Sequence, residues 1–363
     1  MKRIVLIAAL GVLASCNYLD KRESEGKKAL GLHIEAVVSP TFQTKEMPQK
    51  FNEDAADDPA LFLLEESNEF LVYGTDKKGG LALYTIEGKE LKYYQIGAIN
   101  NVDIRQNIIL GQDTVSVIAG SDRDFDGLMV AALDDKGYLV ESSLSQFKTN
   151  LVEEVYGFGM YYDLDAKRLF ALINSKSGML ESWEITKNAE GAFEANFIES
   201  FDAGAQTEGV TADDVNKTVY LGVEEQGIWK FDMDQGLSSG RRMDNSGPSD
   251  NKNIVMDVEG IAVYKSTDST GYLVASSQGN YSYAVFDIAS EAYINSFRIV
   301  DGNGMDGVEE TDGLEVSSIP TKGFPNGVLV VQDGYNVDEN GEDIAQNFKV
   351  IDWKDVMEVL SLD

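Results

Sequence analysis

The sequence predicts an all-β protein, a six-bladed β-propeller, on two observations. From residue 51 to about residue 350, β-branched and aromatic runs such as EFLVYGTD, DTVSVIAGS and TVYLGVEE alternate with clusters of Gly, Asp and Asn, which is the pattern of strands and turns. Six comparable units also follow one another, and they begin at Asp57, Asn100, Glu154, Gln206, Asp257 and Glu310. Successive starts lie 43 to 54 residues apart, the size of a four-stranded blade. Two β-sandwiches, the rival fold, do not predict six such units.

Each unit begins with a polar or acidic cluster and a strand, and a later strand carries an aromatic residue. The later strands are GGLALYTIEG, DGLMVAALDD, GMLESWEIT, QGIWKFDMD, YSYAVFDIA and QNFKVIDW. Long helical periodicity is absent from the sequence, and WKDVMEVLSL near the C-terminus is the only good helical candidate. We therefore predict one propeller domain over residues 51–363.

The first 15 residues predict a lipoprotein signal peptide. Lys2 and Arg3 precede an apolar run from Ile4 to Leu13, and LASC brings small residues up to Cys16. In bacterial lipoproteins this cysteine becomes the lipidated N-terminus. The alternative is an ordinary signal peptide that happens to carry a cysteine.

Residues 16–50 are polar and lack clear periodicity, so we predict a tether and entry segment. With the lipid anchor, this places the protein in the bacterial cell envelope, in the periplasm or on the outer surface, and we expect a monomer.

Composition restricts the chemistry. The chain has 62 acidic against 30 basic residues, a net charge of −32, and a single histidine, His33, beside the single cysteine. The chain lacks the residues that serine–histidine catalysis, cysteine–histidine catalysis and His-rich metal sites need. The net negative charge argues against nucleic acid as a binding partner. Carboxylate oxygens remain, and these suit Ca²⁺.

Acidic residues recur at the starts of the units. Glu208-Gly209, Glu259-Gly260 and Asp312-Gly313 occupy one position in three units, with Asp58 and Asp103 in the first two. The first strand of each blade lines the central channel of a propeller, so these acids are expected to form a ring at one mouth. Such a ring requires bound cations or protonated groups. The alternative is that each acid–glycine pair is only a turn.

Ten segments resemble the bacterial β-propeller alkaline phytases. In order along the chain they are DAADDPAL (54–61), TDKKGGLALY (75–84), NNVDIR (100–105), EVYGF (154–158), QTEGVTADD (206–214), EEQGIWKF (224–231), DVEGIAVY (257–264), GYLVASSQGNYSYAVF (271–286), ETDGLEV (310–316) and VVQDGYN (330–336). The resemblance implies a six-bladed propeller that requires several Ca²⁺ ions and hydrolyses phosphomonoesters of phytate, inositol hexakisphosphate. Because a protein of charge −32 repels this polyanion, either bound Ca²⁺ mediates its binding or the substrate is its calcium complex.

The same resemblance implies a calcium-lined cleavage site. Its residues would be Asp57, Asp58, Glu208, Glu224, Glu259, Asp306 and Asp312. Calcium ions would bridge phosphate oxygens and help a bound water attack phosphorus. We expect Asp57 and Asp312 to take part in catalysis, and Glu208 and Glu259 to hold and deprotonate the water, with metal ligation alone as the alternative for these two. Asp333 and Asn336 would match a structural calcium region, or form a plain turn.

Few cations fall within the matching motifs. The resemblance assigns phosphate binding to Lys77, Lys78, Arg123, Tyr156 and Lys176. Lys77 and Lys78 could instead belong to a solvated turn, and Arg123 could pair with Asp122 or Asp124. Asp122 stands where the family usually has asparagine.

Two other functions share parts of this pattern. A calcium-dependent propeller hydrolase that acts on lactones or other phosphoesters would keep the acidic ring but would not need the cations. A non-catalytic binding propeller on a lipid tether would need neither.

Overall fold

The computed structural model describes residues 24–48, 54–151 and 154–363. The predicted signal peptide and Cys16 lie outside the described residues. Residues 24–31 form helix α1. Two short strands follow, β1 (Val37–Val38) and β2 (Phe42–Gln43), within the segment that the sequence assigned to tether and entry. No helix in these described ranges is long and apolar enough to cross a membrane.

The remaining strands form six antiparallel sheets, as the sequence predicts. Blade 1 contains β3 (Ala56–Leu64), β4 (Glu69–Asp76), β5 (Gly80–Thr85) and β6 (Glu90–Gln95). Blade 2 contains β7 (Ile99–Leu110), β8 (Asp113–Asp122), β9 (Gly127–Leu133) and β10 (Ser145–Lys148). Blade 3 contains β11 (Val155–Asp163), β12 (Arg168–Ser175), β13 (Met179–Lys187) and β14 (Phe193–Asp202).

The last three blades follow the same order. Blade 4 contains β15 (Thr207–Asp213), β16 (Thr218–Val223), β17 (Gly227–Asp232) and β18 (Arg241–Arg242). Blade 5 contains β19 (Val258–Lys265), β20 (Gly271–Ser277), β21 (Ser282–Asp287) and β22 (Tyr293–Ile299). Blade 6 contains β23 (Leu314–Ser317), β24 (Val328–Asp333) and β25 (Asn347–Asp352). Short 3₁₀ turns cover Glu141–Ser143, Leu237–Ser239 and Gln278–Asn280.

The N-terminal strands complete the last two blades. β2 pairs antiparallel with β25 as the outer strand of blade 6, and β1 pairs parallel with β22 at the edge of blade 5. Both ends of the chain therefore contribute to one sheet, which closes the ring. The entry segment thus belongs in part to the propeller.

Apolar side chains fill the spaces between neighbouring blades. Val274 of blade 5 and Leu329 of blade 6 share one such cluster with Trp353, and all three are fully buried. Trp353 opens helix α2 (Trp353–Leu360), the helix predicted from the sequence. The Asp352 side chain accepts a hydrogen bond from the Lys354 N–H and so caps the N-terminus of α2. Because the inner strands contact one another in turn around the channel, their first residues are brought together.

Candidate active site

Six side chains from the six blades form a ring at one mouth of the channel, which we call the mouth ring. Near their first residues, β3, β7, β11, β15 and β19 each carry a β-bulge, in which two residues face one residue of the next strand. The first bulge residue of each blade, with the matching residue before β23, gives the ring Asp57, Asn100, Tyr156, Glu208, Glu259 and Asp312.

Close packing between blades explains the glycines that follow the acids. A Cβ atom on Gly209 would lie 2.3 Å from the Glu259 carbonyl oxygen, and one on Gly260 would lie 2.6 Å from that of Asp312. The Gly260 N–H also donates to this Asp312 carbonyl at 2.7 Å. The acid–glycine pairs are therefore tight inter-blade junctions that aim a carboxylate into the channel mouth, and they are not surface turns.

The register corrects two of the predicted ring positions. In blades 1 and 2 the equivalent residues are Asp57 and Asn100, while Asp58 is the second bulge residue and Asp103 lies three residues beyond Asn100. The two acids line a cavity of about 270 Å³ further along the channel. There the Asp103 carboxylate accepts hydrogen bonds from Arg105 and from the Met160 N–H, both at 2.7 Å. Neither acid is followed by glycine, the residue that marks the ring position in the other three units, so the sequence contains no marker for the register in blades 1 and 2.

Three glutamates converge at the mouth. Glu208, Glu224 and Glu259 each offer an oxygen atom, and these atoms lie within 4.8 Å of one another. Burial, followed by the charges of Asp57 and Asp312, raises the pKa of Glu208 well above its ordinary value. Burial and the charge of Glu208 do the same to the pKa of Glu259, and burial raises the pKa of Glu224 to about 7. Without a cation, this group therefore favours protonation.

Lys77 is the cation buried within the mouth. Its Nζ lies 2.9 Å from a carboxylate oxygen of each of Asp54, Asp57 and Asp312. Burial lowers the pKa of Lys77, but Asp312, Asp57 and Asp54 outweigh it and raise that pKa well above its ordinary value. Burial raises the pKa of Asp57 to about 7 in spite of this lysine. Asp54 lies in a matching motif, but no role was predicted for it from the sequence.

Two other predicted phosphate-binding residues share a carboxylate that the sequence analysis did not assign. Lys176 Nζ lies 2.8 Å from Glu154 Oε2, and Arg123 donates to Glu154 Oε1. Although burial acts in the opposite direction, these hydrogen bonds lower the pKa of Glu154. Lys176 also lies over the ring of Tyr156, 4.8 Å from its centroid. The Glu208 charge, more than burial, raises the pKa of Tyr156, so its hydroxyl remains a hydrogen-bond donor.

The remaining predicted cation, Lys78, does not join this group. The Lys78 side chain is exposed, while its backbone N–H donates to Asp76.

Asp122 is fully buried and does not pair with Arg123. Its carboxylate accepts hydrogen bonds from the N–H groups of Asp124 and Phe125 and from Gln146. Asp122 thus stabilises the turn that carries Arg123.

Three carboxamides contact the three glutamates. Asn100 Nδ2 donates to Glu208 at 3.1 Å, Gln206 Nε2 to Glu224 at 2.6 Å, and Gln278 Nε2 to Glu259 at 2.8 Å. None of the three was predicted to be a site residue, although each lies in a matching segment. Because amide side chains are neutral, a search for charged residues did not find them.

Asp306, Asp333 and Asn336 form a separate cluster at the blade closure, away from the mouth ring. Their oxygens surround Lys349, whose Nζ lies 2.5 Å from Asp306, 3.0 Å from Asn336 and 3.3 Å from Asp333. Gln43 of β2 accepts a fourth contact at 2.7 Å. Lys349 is fully buried, so a protein ammonium group stands among the oxygens that the sequence assigned to calcium.

Both predicted metal regions contain a buried carboxylate oxygen that lacks a hydrogen-bond partner among the described residues. At the mouth, Asp57 Oδ1 and Glu208 Oε2 are buried and accept no hydrogen bond within the described residues. Unpaired buried carboxylate oxygens are costly, and a cation would stabilise them. At the blade closure, Lys349 supplies one positive charge to the two carboxylates of Asp306 and Asp333, and Asp333 Oδ2 is likewise buried without a hydrogen bond among the described residues.

Comparisons with known proteins agree with this site. Residues 4–363 match the family described as Phytase. The chain is 35% identical over 328 residues to a 3-phytase of Bacillus subtilis (strain 168), covering 88% of this chain and 85% of that protein. The matches cover most of the chain, and the structure is a propeller with carboxylates and cations at one mouth. The chain therefore belongs to the phytase family and is a phytase.

Proposed function

We propose that this protein is a calcium-dependent phytase that releases phosphate from phytate, or from its calcium complex, by attack of water at the mouth ring. The observation that carries the proposal is the convergence of Glu208, Glu224 and Glu259, each with an oxygen within 4.8 Å of the others. The similarity to a protein named 3-phytase supports the substrate.

Calcium is the metal that the donor set favours. The available ligands are carboxylate oxygens from several blades, and Ca²⁺ accepts six to eight oxygens in flexible geometry whereas Mg²⁺ demands a strict octahedron. When bound, Ca²⁺ would neutralise charge on the phosphoryl group and acidify a coordinated water.

The side chains supply orientation and proton transfer. Glu208 and Glu259 lie on neighbouring inner strands of the mouth, where either can accept a proton from the attacking water. Arg123 and Lys176 lie on blades 2 and 3 and would bind phosphate groups that do not react. Lys77 holds Asp57 and Asp312 together across the junction of blades 1 and 6.

The net charge of the protein supports a role for a cation in binding the substrate. A protein of charge −32 repels a polyanionic substrate. Bound calcium creates a positive platform at the mouth, or the substrate arrives as its calcium complex.

Phosphate release from phytate, measured with Ca²⁺ and then with a chelator, tests the proposal. We expect release with Ca²⁺, loss with chelator, recovery when Ca²⁺ is restored, and no turnover of lactones. Full activity in the chelator would overturn the calcium requirement, and turnover of lactones but not of phytate would overturn the substrate.

We also propose that Cys16 carries a lipid that anchors a monomer in the bacterial cell envelope. The support is the sequence pattern of the first 16 residues. Metabolic labelling with palmitate should mark the protein and not its Cys16→Ser variant. Equal labelling of the two would exclude this cysteine as the anchor.

A further inference from the structure

We infer that Asn100, Gln206 and Gln278 are positioning residues that prepare the three mouth glutamates to bind a cation. The inference rests on the proposed function, because it concerns the calcium site of that reaction. We call the three side chains the amide set.

The hydrogen bonds of the amide set have one pattern. Each amide N–H is bonded to one oxygen of one glutamate: Asn100 to Glu208 Oε1, Gln206 to Glu224 Oε1, and Gln278 to Glu259 Oε2. The second oxygen of Glu208, Oε2, is buried and accepts no hydrogen bond in the described part of the chain. Each glutamate is thus held by one oxygen, which leaves the other for a cation.

The amides also connect the glutamates to the rest of the mouth. Gln278 Nε2 donates a second hydrogen bond to Asp312, at 2.9 Å, and so joins the carboxylates of blades 5 and 6. Asn100 accepts a hydrogen bond from Arg123 at 3.1 Å while it donates to Glu208. The first contact fixes the separation of two carboxylates, and the second fixes the position of a phosphate-binding candidate relative to them.

Neutral donors suit this role better than charged ones. A lysine or arginine beside each glutamate would neutralise it and compete with the cation. An amide N–H orients the carboxylate and leaves its negative charge in place. Hydrogen-bonding partners of metal-binding carboxylates typically change metal affinity or activity by about 10–100-fold when they are removed.

Calcium titration of the full-length protein by calorimetry tests the inference. The variants Gln206→Met and Gln278→Met keep the side-chain length and lose the donor. We expect the dissociation constant for Ca²⁺ to rise about 10–100-fold in each, and turnover of phytate to recover at saturating Ca²⁺. The matched control is Gln235→Met, because Gln235 makes the same kind of amide–carboxylate bond, to Asp232, on an exposed turn of blade 4.

Each outcome of the titration either supports or overturns the positioning role of the amide set. Dissociation constants within twofold of the parent would overturn the positioning role while leaving the proposed function in place. Absence of calcium binding by the parent protein would overturn both. If a Met variant fails to fold, as judged by circular dichroism, Asn100→Leu removes the donor at a third position without adding charge. It should likewise weaken Ca²⁺ binding, and unchanged affinity there would count against the inference.

Discussion

At the residue scale, the mouth ring brings together more negative charges than the positively charged side chains around it can neutralise. Lys77 contributes one positive charge to Asp54, Asp57 and Asp312. Glu208 and Glu259 lie beside this group, and burial raises the pKa of both carboxyls well above the ordinary value. Protons or metal ions must therefore complete the charge balance, and only metal ions do so at alkaline pH.

Replacing either central glutamate by glutamine should stop turnover without unfolding the protein. Glu208→Gln and Glu259→Gln preserve volume but remove the basic oxygen, so we expect kcat on phytate to fall about 10²–10⁴-fold. Steady-state kinetics at saturating Ca²⁺ measure this, with Glu194→Gln on an exposed strand as the control. Near-normal kcat in both variants would leave water activation to another group.

Truncation of the shared cations should weaken substrate capture. Arg123→Ala and Lys176→Ala each remove charge-assisted contacts to phosphate, so we expect KM for phytate to rise about tenfold or more. The increase should be smaller for p-nitrophenyl phosphate, which cannot reach a second phosphate site. Equal changes on both substrates would argue against separate phosphate sites, and so would unchanged kinetics.

The sequence predicted the charged members of the mouth ring and failed where strand geometry or neutral groups decide. Asp57, Glu208, Glu259 and Asp312 lie together as expected. Asp103 does not join them, because it lies three residues beyond Asn100, the ring position of β7. Gln278 was overlooked because its contribution is a hydrogen bond, which only the fold brings within reach of Glu259.

At the element scale, closure of the ring depends on contacts between the two ends of the chain. Lys349 of β25 contacts Gln43 of β2, Asp306 in the loop before β23, and Asp333 at the end of β24. The strand pattern predicted six units, and five of the inner strands begin within one residue of the predicted starts. β1 and β2 were not predicted, because two-residue strands give no periodicity and form only by pairing with completed sheets.

Removal of the buried ammonium group should weaken this closure. Lys349→Met leaves the buried Asp333 and the partly buried Asp306 without a counterion, so we expect a loss of about 3–5 kcal/mol in the free energy of unfolding. Thermal unfolding in the presence of a chelator measures this, which keeps calcium at the mouth from masking the effect. Lys354→Met is the control, since Lys354 forms an exposed ion pair with Glu358. A change below about 1 kcal/mol, the value of a surface pair, would show that the closure does not depend on the ammonium.

At the scale of the whole molecule, buried carboxyls make stability depend on calcium and pH together. Burial raises the pKa of Asp57 and Glu224 to about 7, and that of Glu315 in the channel to about 8. In the unfolded chain such groups titrate near about 4. Between these values the folded protein binds more protons than the unfolded chain, so the calcium-free protein should lose stability as pH rises from about 4 to 8.

Bound Ca²⁺ should remove much of this loss, because it replaces protons at the mouth and its affinity increases as the carboxyls ionise. We therefore expect the melting temperature with Ca²⁺ to exceed that with chelator by a margin that widens between pH 5 and pH 8, by about 5 °C or more. Glu315→Gln provides the control: Glu315 lies in the channel cavity and not in the mouth ring, so its loss should flatten the pH dependence in chelator and preserve the calcium-dependent margin. A margin that stays constant with pH, or a chelated protein that becomes more stable as pH rises, would contradict a calcium site built from these carboxylates.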